Sequence, residues 1–424
     1  MPTTASTPSA NAGAAPVTAG TRVLVADKLE TSAIEGLKAF GCQVTQQADV
    51  APDGLGALLA ATEAEVLVVR SRKVDAKAIE QALRLGLIVR AGAGYDTIDV
   101  AAASRRGIFV ANCPGKNSMA VAELAWALIL SADRRVPDQV AQLRAGQWNK
   151  KEYSAAQGLF GRTLGIVGLG QIGQEIAKRG RAFGMEVVAW SRNLTEARAE
   201  AAGAHYCSNI VNLAKIADVV SVSVAANEET SNLIGEKFFH AMKPNSIFVN
   251  TSRGSVVDQA ALTAAIREKK LRAGLDVFAK EPSGGTGTFE DPIVKEPGVY
   301  GTHHVGASTE QAQQAVAAET VRIIRAYVER GQVPNCVNRA ASTPATTLLS
   351  VRHLNRPGVL AHVFYTLGQS GINVEEMENI IYEGAEAALA RIQLDSQPSE
   401  EHLAHIRRNP HVLAVSFASL PGCR

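Results

Sequence analysis

From Arg22 onward, short runs of apolar, often β-branched residues alternate with longer stretches in which apolar positions recur every three or four residues. "RVLVAD" (22–27) and "EVLVVR" (65–70) predict buried strands, and "SAIEGLKAF" (32–40) and "DAKAIEQALRLG" (75–86) predict helices. "LIVRAGAG" (87–94) predicts a strand ending in a glycine turn. After an apolar helix near 117–134 a second series begins. "TLGIVGLGQIGQEIAKRGRAFGMEVVAW" (163–190) is strand, glycine turn, helix and strand, and further strands are predicted over 217–225, 246–252, 272–278 and 298–304. Such alternation builds parallel sheets with helices on both faces. The long helix over 310–331 is placed to pack back on the first series.

The pattern changes after the small, polar "NRAASTPAT" (338–346). "TLLSVR", "INVEEMENIIY", "AEAALARIQLD" and "HVLAVSFASL" predict strands, with helices over 357–371 and 399–409 between them. The order βαββαβ is the ferredoxin-like arrangement.

Composition narrows the class. A chain of 424 residues has length for two to four domains, and 46% hydrophobic with 20% charged residues is ordinary for a globular protein. A net charge of +2 gives no reason to expect nucleic acid or an anionic membrane as partner. The five cysteines are scattered with no CxxC pair, which argues against a metal site or a disulfide framework and fits a reducing cytoplasm. The longest apolar stretch, from Met119, is too short to span a bilayer and contains Glu123. Residues 1–20 carry no charged side chain and lack the basic start and apolar middle of a secretory signal; a disordered tail is expected there.

The strongest local signal for chemistry is Gly168-Leu169-Gly170-Gln171-Ile172-Gly173, which follows a strand and opens a helix. That context is what dinucleotide binding requires: Gly168 for the tight turn, Gly170 for close approach of the pyrophosphate, Gly173 for helix-on-strand packing. The next strand ends in Ser191 and Arg192, where an acid for the ribose 2′-hydroxyl of NAD is expected. NAD(H) is therefore expected with NADP(H) as an alternative, Arg192 either meeting a 2′-phosphate or pointing into solvent. Arg253, Asp276, Glu281 and the pair His303-His304 each lie at or just beyond the end of a successive strand. That rim is where doubly wound sheets bind ligands. An arginine there can grip a carboxylate with two parallel bonds, and a carboxylate beside an imidazole orients it for proton transfer to a carbonyl oxygen.

The glycine motif, "NTSRG" (250–254), "LDVFAKEP" (275–282) and "HHVGAST" (303–309), taken together, resemble the D-isomer-specific 2-hydroxyacid dehydrogenase family over about Arg22 to Asn338. The resemblance implies that Arg253 binds the substrate carboxylate and that Glu281 partners His304 as acid/base. His303 stands where the family has proline. It implies cofactor contacts from Gln171, Ile172, Thr251, Ser252, Gly306 and Ala307, and from Asp276 to the nicotinamide amide. Ser223 and Ala225 stand where the family commonly has histidine and proline, near the adenine pocket. The implied fold is α/β: a Rossmann-like cofactor domain (113–303) inserted in a flavodoxin-like substrate domain (21–112 and 304–338). A linker (339–345) and a ferredoxin-like domain (346–424) follow.

"VRSRKV" (69–74) and "GQWNKKEY" (146–153) resemble stretches of the family branch acting on 3-phosphoglycerate. Arg70, Ser71, Arg72 and Lys150 are thereby expected at a substrate phosphate; "AGAGYD" (91–96), with Ala93 and Gly94, resembles the family loop whose backbone N–H groups meet the carboxylate, and Asn117 is a further expected substrate contact. "SVRHLNRPGVLAHVF" (350–364) and "SGINVEEM" (370–377) resemble an ACT regulatory module, with His353, Asn355 and Asn373 as candidate contacts to L-serine. The expectation is an NAD(P)-dependent oxidation of a phosphorylated 2-hydroxy acid by a cytoplasmic homo-oligomer, dimer or tetramer. The alternatives are a hydroxypyruvate or glyoxylate reductase, and a lapsed amino-acid-sensing binding protein.

Overall fold

The computed structural model describes residues 20–282, 286–340 and 342–420. The expected tail, Gly20 apart, lies outside the described residues. The chain forms two compact units that divide after Asn338.

The first unit contains two parallel sheets. Strands β1 (Arg22–Val25), β2 (Gln43–Gln46), β3 (Val66–Val69), β4 (Leu87–Arg90) and β5 (Phe109–Asn112) are ordered β2-β1-β3-β4-β5. Apolar cores cover both faces: Leu24, Ile79 and Val110 on one, Val23, Ile34 and Val89 on the other. The long helix Glu310–Arg330 adds Ile323 and Ile324 to the second core, so it does pack back on this sheet. The second sheet holds β6 (Thr163–Val167), β7 (Glu186–Trp190), β8 (His205–Tyr206), β9 (Val219–Val222), β10 (Ile247–Asn250), β11 (Arg272–Leu275) and β12 (Val299–Gly301). Its order is β8-β7-β6-β9-β10-β11-β12, so the winding reverses between β6 and β9. A crevice opens at the carboxyl ends of the strands at such a point. The helix Ser118–Arg134 covers one face through Trp126 and Ile129.

Several strands stop earlier than their apolar runs, because the residues beyond them turn away to build loops. The helix expected over 75–86 spans only Ala76–Gln81. Ala82 leaves helical geometry (ψ 77°), which sends Leu85 into the core while Leu83 stays exposed.

The second unit is an antiparallel sheet of β13 (Thr347–Leu354), β14 (Val374–Ile381), β15 (Ala387–Leu394) and β16 (Val412–Ser419), ordered β14-β15-β13-β16. Helices Val359–Gln369 and Glu400–Arg407 complete the βαββαβ order. Its register corrects the expectation that His353, Asn355 and Asn373 can meet at one end of the sheet. Leu354 pairs with Ala387, whereas Val374 pairs with Leu394 at the far end of β15. His353 and Asn355 therefore sit at one end of the sheet and Asn373 at the other. Eight-residue strands separate them by roughly 25 Å, so the three do not meet within one unit.

Glu319 ties the long helix to the segment leaving the first sheet. Its side chain, 7% exposed, accepts from Arg322 (2.6 Å) and Asn335 (2.7 Å) and faces Lys116 at 3.5 Å. The Arg322 hydrogen bond, with the Asn335 bond and the Arg322 and Lys116 charges, outweighs burial and lowers its pKa from 4.5 to about 2. A carboxyl depressed in the folded state stabilises above its unfolded pKa, and that contribution disappears as pH falls from 4.5 toward 2. Denaturant unfolding should show Glu319→Gln less stable than wild type at pH 7, with the gap closing across that window. A gap constant with pH would contradict the assignment.

Candidate active site

A cleft of about 1210 Å³ is lined by loops at the carboxyl ends of both parallel sheets. Asp276, immediately after β11 and 1% exposed, organises one wall. Its Oδ1 accepts from the Thr302 hydroxyl (2.7 Å) and the Val305 amide (2.8 Å), and its Oδ2 from the Gly306 amide (2.9 Å). Its main-chain oxygen accepts from the His304 amide at 2.9 Å. His304 is held in the left-handed region (φ 53°), unusual for a non-glycine residue. The turn brings His304 Nδ1 within 2.6 Å of Glu281 Oε2, while Glu281 Oε1 accepts from the Phe278 amide at 2.9 Å. Partial burial raises the Glu281 pKa, but the His304 and Phe278 bonds and the His304 and Arg253 charges outweigh it and hold the group below the usual range. Glu281 is thus a carboxylate facing an imidazole at neutral pH.

Arg253, just past β10, also lines the cleft. Its Nε and Nη2 each lie 3.2 Å from a carboxylate oxygen of Asp96, and Nη1 donates to the Ser252 carbonyl at 2.8 Å. Partial burial raises the Asp96 pKa, yet the Arg253 charge and hydrogen bonds lower it below the normal range.

The glycine turn joins β6 to the helix Gln171–Ala182. Gly168 has φ +101°, and a Cβ there would lie 2.8 Å from the Ser223 carbonyl. A Cβ on Gly173 would lie 2.1 Å from the Gly168 oxygen, whereas at Gly170 it would meet nothing within 4 Å. The first and third glycines serve packing, and the middle one leaves the helix N-terminus open to an anion. Thr251 Oγ1, Ser223 Oγ and Asn117 Oδ1 are buried cleft-lining atoms without a hydrogen-bond partner among the described residues. Buried polar atoms are rarely left unpaired. The turn and these atoms fit a bound dinucleotide.

A family model for the NAD binding domain of D-isomer specific 2-hydroxyacid dehydrogenases matches residues 126–306. The glyoxylate reductase of Thermococcus litoralis is 39% identical over 278 residues, 64% of this chain and 82% of that protein. The chain belongs to this family. The D-3-phosphoglycerate dehydrogenase of Methanocaldococcus jannaschii is 39% identical over 319 residues, 75% of this chain. The chain spans 59% of that relative's length. A solved glyoxylate reductase from Paecilomyes thermophila superposes with a TM-score of 0.69 at 28% identity, covering 75% of this chain and 98% of its own. NAD(H) is accordingly the cofactor of this 2-hydroxyacid dehydrogenase fold.

Of the residues singled out from sequence, Ile172, Thr251, Ser252, Asp276, Gly306 and Ala307 line the cleft with Arg253, Glu281 and His304, as do Arg70, Ser71, Ala93, Gly94 and Asn117. Arg72 does not. Its guanidinium donates to the carbonyls of Ala26, Val50 and Ala48 at 2.6–2.9 Å, so it braces loops of the first sheet. Lys150 opens a short exposed helix and borders a separate small pocket. Gln171 lies against Gly115, outside the cleft lining. The Ser191 hydroxyl accepts from the Leu169 amide at 2.6 Å, bracing the glycine turn, and Arg192 is paired with Glu229. Arg192 meets a 2′-phosphate only by leaving that carboxylate. In the second unit His353 is buried against the Leu354 carbonyl and Asn379, Asn355 donates to the Ala385 carbonyl, and Asn373 donates to Glu375.

Two cleft residues were missed. Arg90 ends β4; its Nε is buried without a partner, and burial, with repulsion from Arg253 and Arg70, brings its pKa down to about 10. Its signal was a charge ending an otherwise apolar strand. Asp96 lies in the glycine loop that was read for its backbone alone.

His304→Ala should lower kcat by roughly 10²–10⁴-fold, the usual size of a general acid–base contribution. His303→Ala, which removes a ring with no hydrogen bond found among the described residues, should change it little. Equal losses in steady-state assays would overturn the assignment.

Proposed function

We propose that this dehydrogenase oxidises 3-phospho-D-glycerate to 3-phosphohydroxypyruvate, a first step toward serine. The observation that carries the reading is the cationic end of the cleft. Arg70 and Arg90 line it at the end of the first sheet, apart from the Glu281–His304 pair. Among the described residues the Arg70 side chain keeps a single hydrogen bond, to Gln313 at 3.1 Å. Two guanidinium groups with so few protein acceptors suit a phosphate. Arg253 then takes the carboxylate and His304 receives the hydroxyl proton, with Glu281 stabilising the imidazolium. When bound, the nicotinamide accepts the hydride from C2. Intact Arg253, Glu281 and His304 speak against a lapsed binding protein. Relatives named glyoxylate and hydroxypyruvate reductase keep a reductase as the second reading.

The domain division outlined from sequence is part of the same proposal, with the second unit as an ACT module that senses L-serine. Because His353 and Asn355 lie far from Asn373 along the sheet, a ligand touching all three requires two copies of the unit, consistent with a homo-oligomer. No helix among the described residues is long and apolar enough to cross a membrane, and we place the enzyme in the cytoplasm.

The test is steady-state kinetics with NAD⁺ on 3-phosphoglycerate and D-glycerate. Wild type should favour the phosphorylated acid by at least about tenfold in kcat/KM, a difference that a charge-assisted contact supplies. Arg70→Ala and Arg90→Ala should erase the preference while leaving D-glycerate nearly unchanged. Equal losses on both substrates would contradict the phosphate assignment.

A further inference from the structure

Arg253 works only if its fork is held at a fixed angle to the cleft. A guanidinium has five N–H donors in one plane. Nε and Nη2, one side of the fork, are taken by the two oxygens of Asp96, and one Nη1 hydrogen by the Ser252 carbonyl. The remaining Nη1 and Nη2 hydrogens form the end of the fork, a parallel pair spaced for a carboxylate. Asp96 therefore does not fill the place of the substrate carboxylate.

The two partners come from different sheets. Asp96 follows β4 of the first, and Arg253 follows β10 of the second, 157 residues later. Two residues before Asp96, Gly94 offers a bare Cα; a Cβ there would lie 2.2 Å from Arg253 Nη2 and 3.0 Å from Asp96 Oδ1. Gly94 and Asp96 thus form one cradle, the first by the absence of a side chain and the second by its charge.

We propose that Asp96 is a positioning residue that clamps Arg253 from the opposite side of the cleft, so that the grip on the substrate carboxylate is complete only when the two sheets face each other as they do here. The proposal rests on Arg253 as the carboxylate-binding group. It assigns Asp96 a role in orientation and in selection of the hydroxy-acid enantiomer. Arg253 fixes one substituent of C2 and His304 a second; a guanidinium free to swing loosens the first and lets the mirror-image acid present its hydrogen to the cofactor.

The test compares wild type with Asp96→Asn, Asp96→Ala, Gly94→Ala and Arg253→Ala, using D- and L-glycerate and NAD⁺, with circular dichroism and NAD⁺ binding as checks on folding. Asp96→Ala should raise the KM for D-glycerate about tenfold or more, since small misplacements of a bound group carry costs of that order. The KM for NAD⁺ should stay within about twofold, as expected when one substrate's contact alone is altered. The D/L ratio of kcat/KM should fall in parallel. Asp96→Asn, nearly isosteric, should fall between, and Gly94→Ala should reproduce the pattern by displacing the same guanidinium. Unchanged KM and D/L ratio in both Asp96 variants, with Arg253→Ala inactive, would overturn the proposal. So would a lower KM, which would make Asp96 a competitor of the substrate. An active Arg253→Ala would instead remove the functional reading beneath it.

Discussion

The site depends on one buried carboxylate. Asp276 accepts from Thr302, Val305 and Gly306 and gives its main-chain oxygen to the His304 amide. Those bonds hold a left-handed residue whose ring reaches Glu281. A buried carboxylate is tolerated when its lone pairs are filled by well-aligned donors, and here the donors are the backbone of the loop it shapes. The acid/base is thus positioned from beneath by a residue that lies outside the Glu281–His304 pair.

Around that point the cleft is electrostatically uneven. Glu281 is engaged by His304, and Arg253 is paired with Asp96 on one side only. Arg70 and Arg90 line the cleft, and burial with the Arg253 and Arg70 charges, opposed in part by Asp96, lowers Arg90 to about 10. A negatively charged ligand would offset that charge, the basis of the proposed phosphate reading.

Much of this was legible in the chain. Strand–helix alternation revealed both parallel sheets because most of their strands are buried on two faces and read as apolar runs; the exposed strands β2 and β8 carry no such signal. The glycine turn and the residues at strand ends were legible because the rim of a doubly wound sheet collects them. What failed depended on side-chain direction. Arg70 and Arg72 are two apart on one loop, yet one faces the cleft and the other turns to three carbonyls. Ser191 and Arg192 also have partners within the protein, the Leu169 amide and Glu229, that the sequence does not show. Asp96 escaped notice because its partner, Arg253, lies 157 residues away in sequence. The opposite placement of His353 and Asn373 follows from strand direction, which the βαββαβ order does imply once the register is drawn.

The central claim is that Asp276 sets the geometry of proton transfer without entering the chemistry. The most direct test is single-turnover hydride transfer in Asp276→Asn, followed by nicotinamide absorbance with enzyme in excess over substrate. An asparagine keeps the shape but replaces one acceptor by a donor facing the Val305 or Gly306 amide. The account predicts a transfer rate lower by about 10²-fold at saturating NAD⁺, the order that misplacement of a catalytic group by an ångström produces, with circular dichroism unchanged. A transfer rate equal to wild type would contradict it.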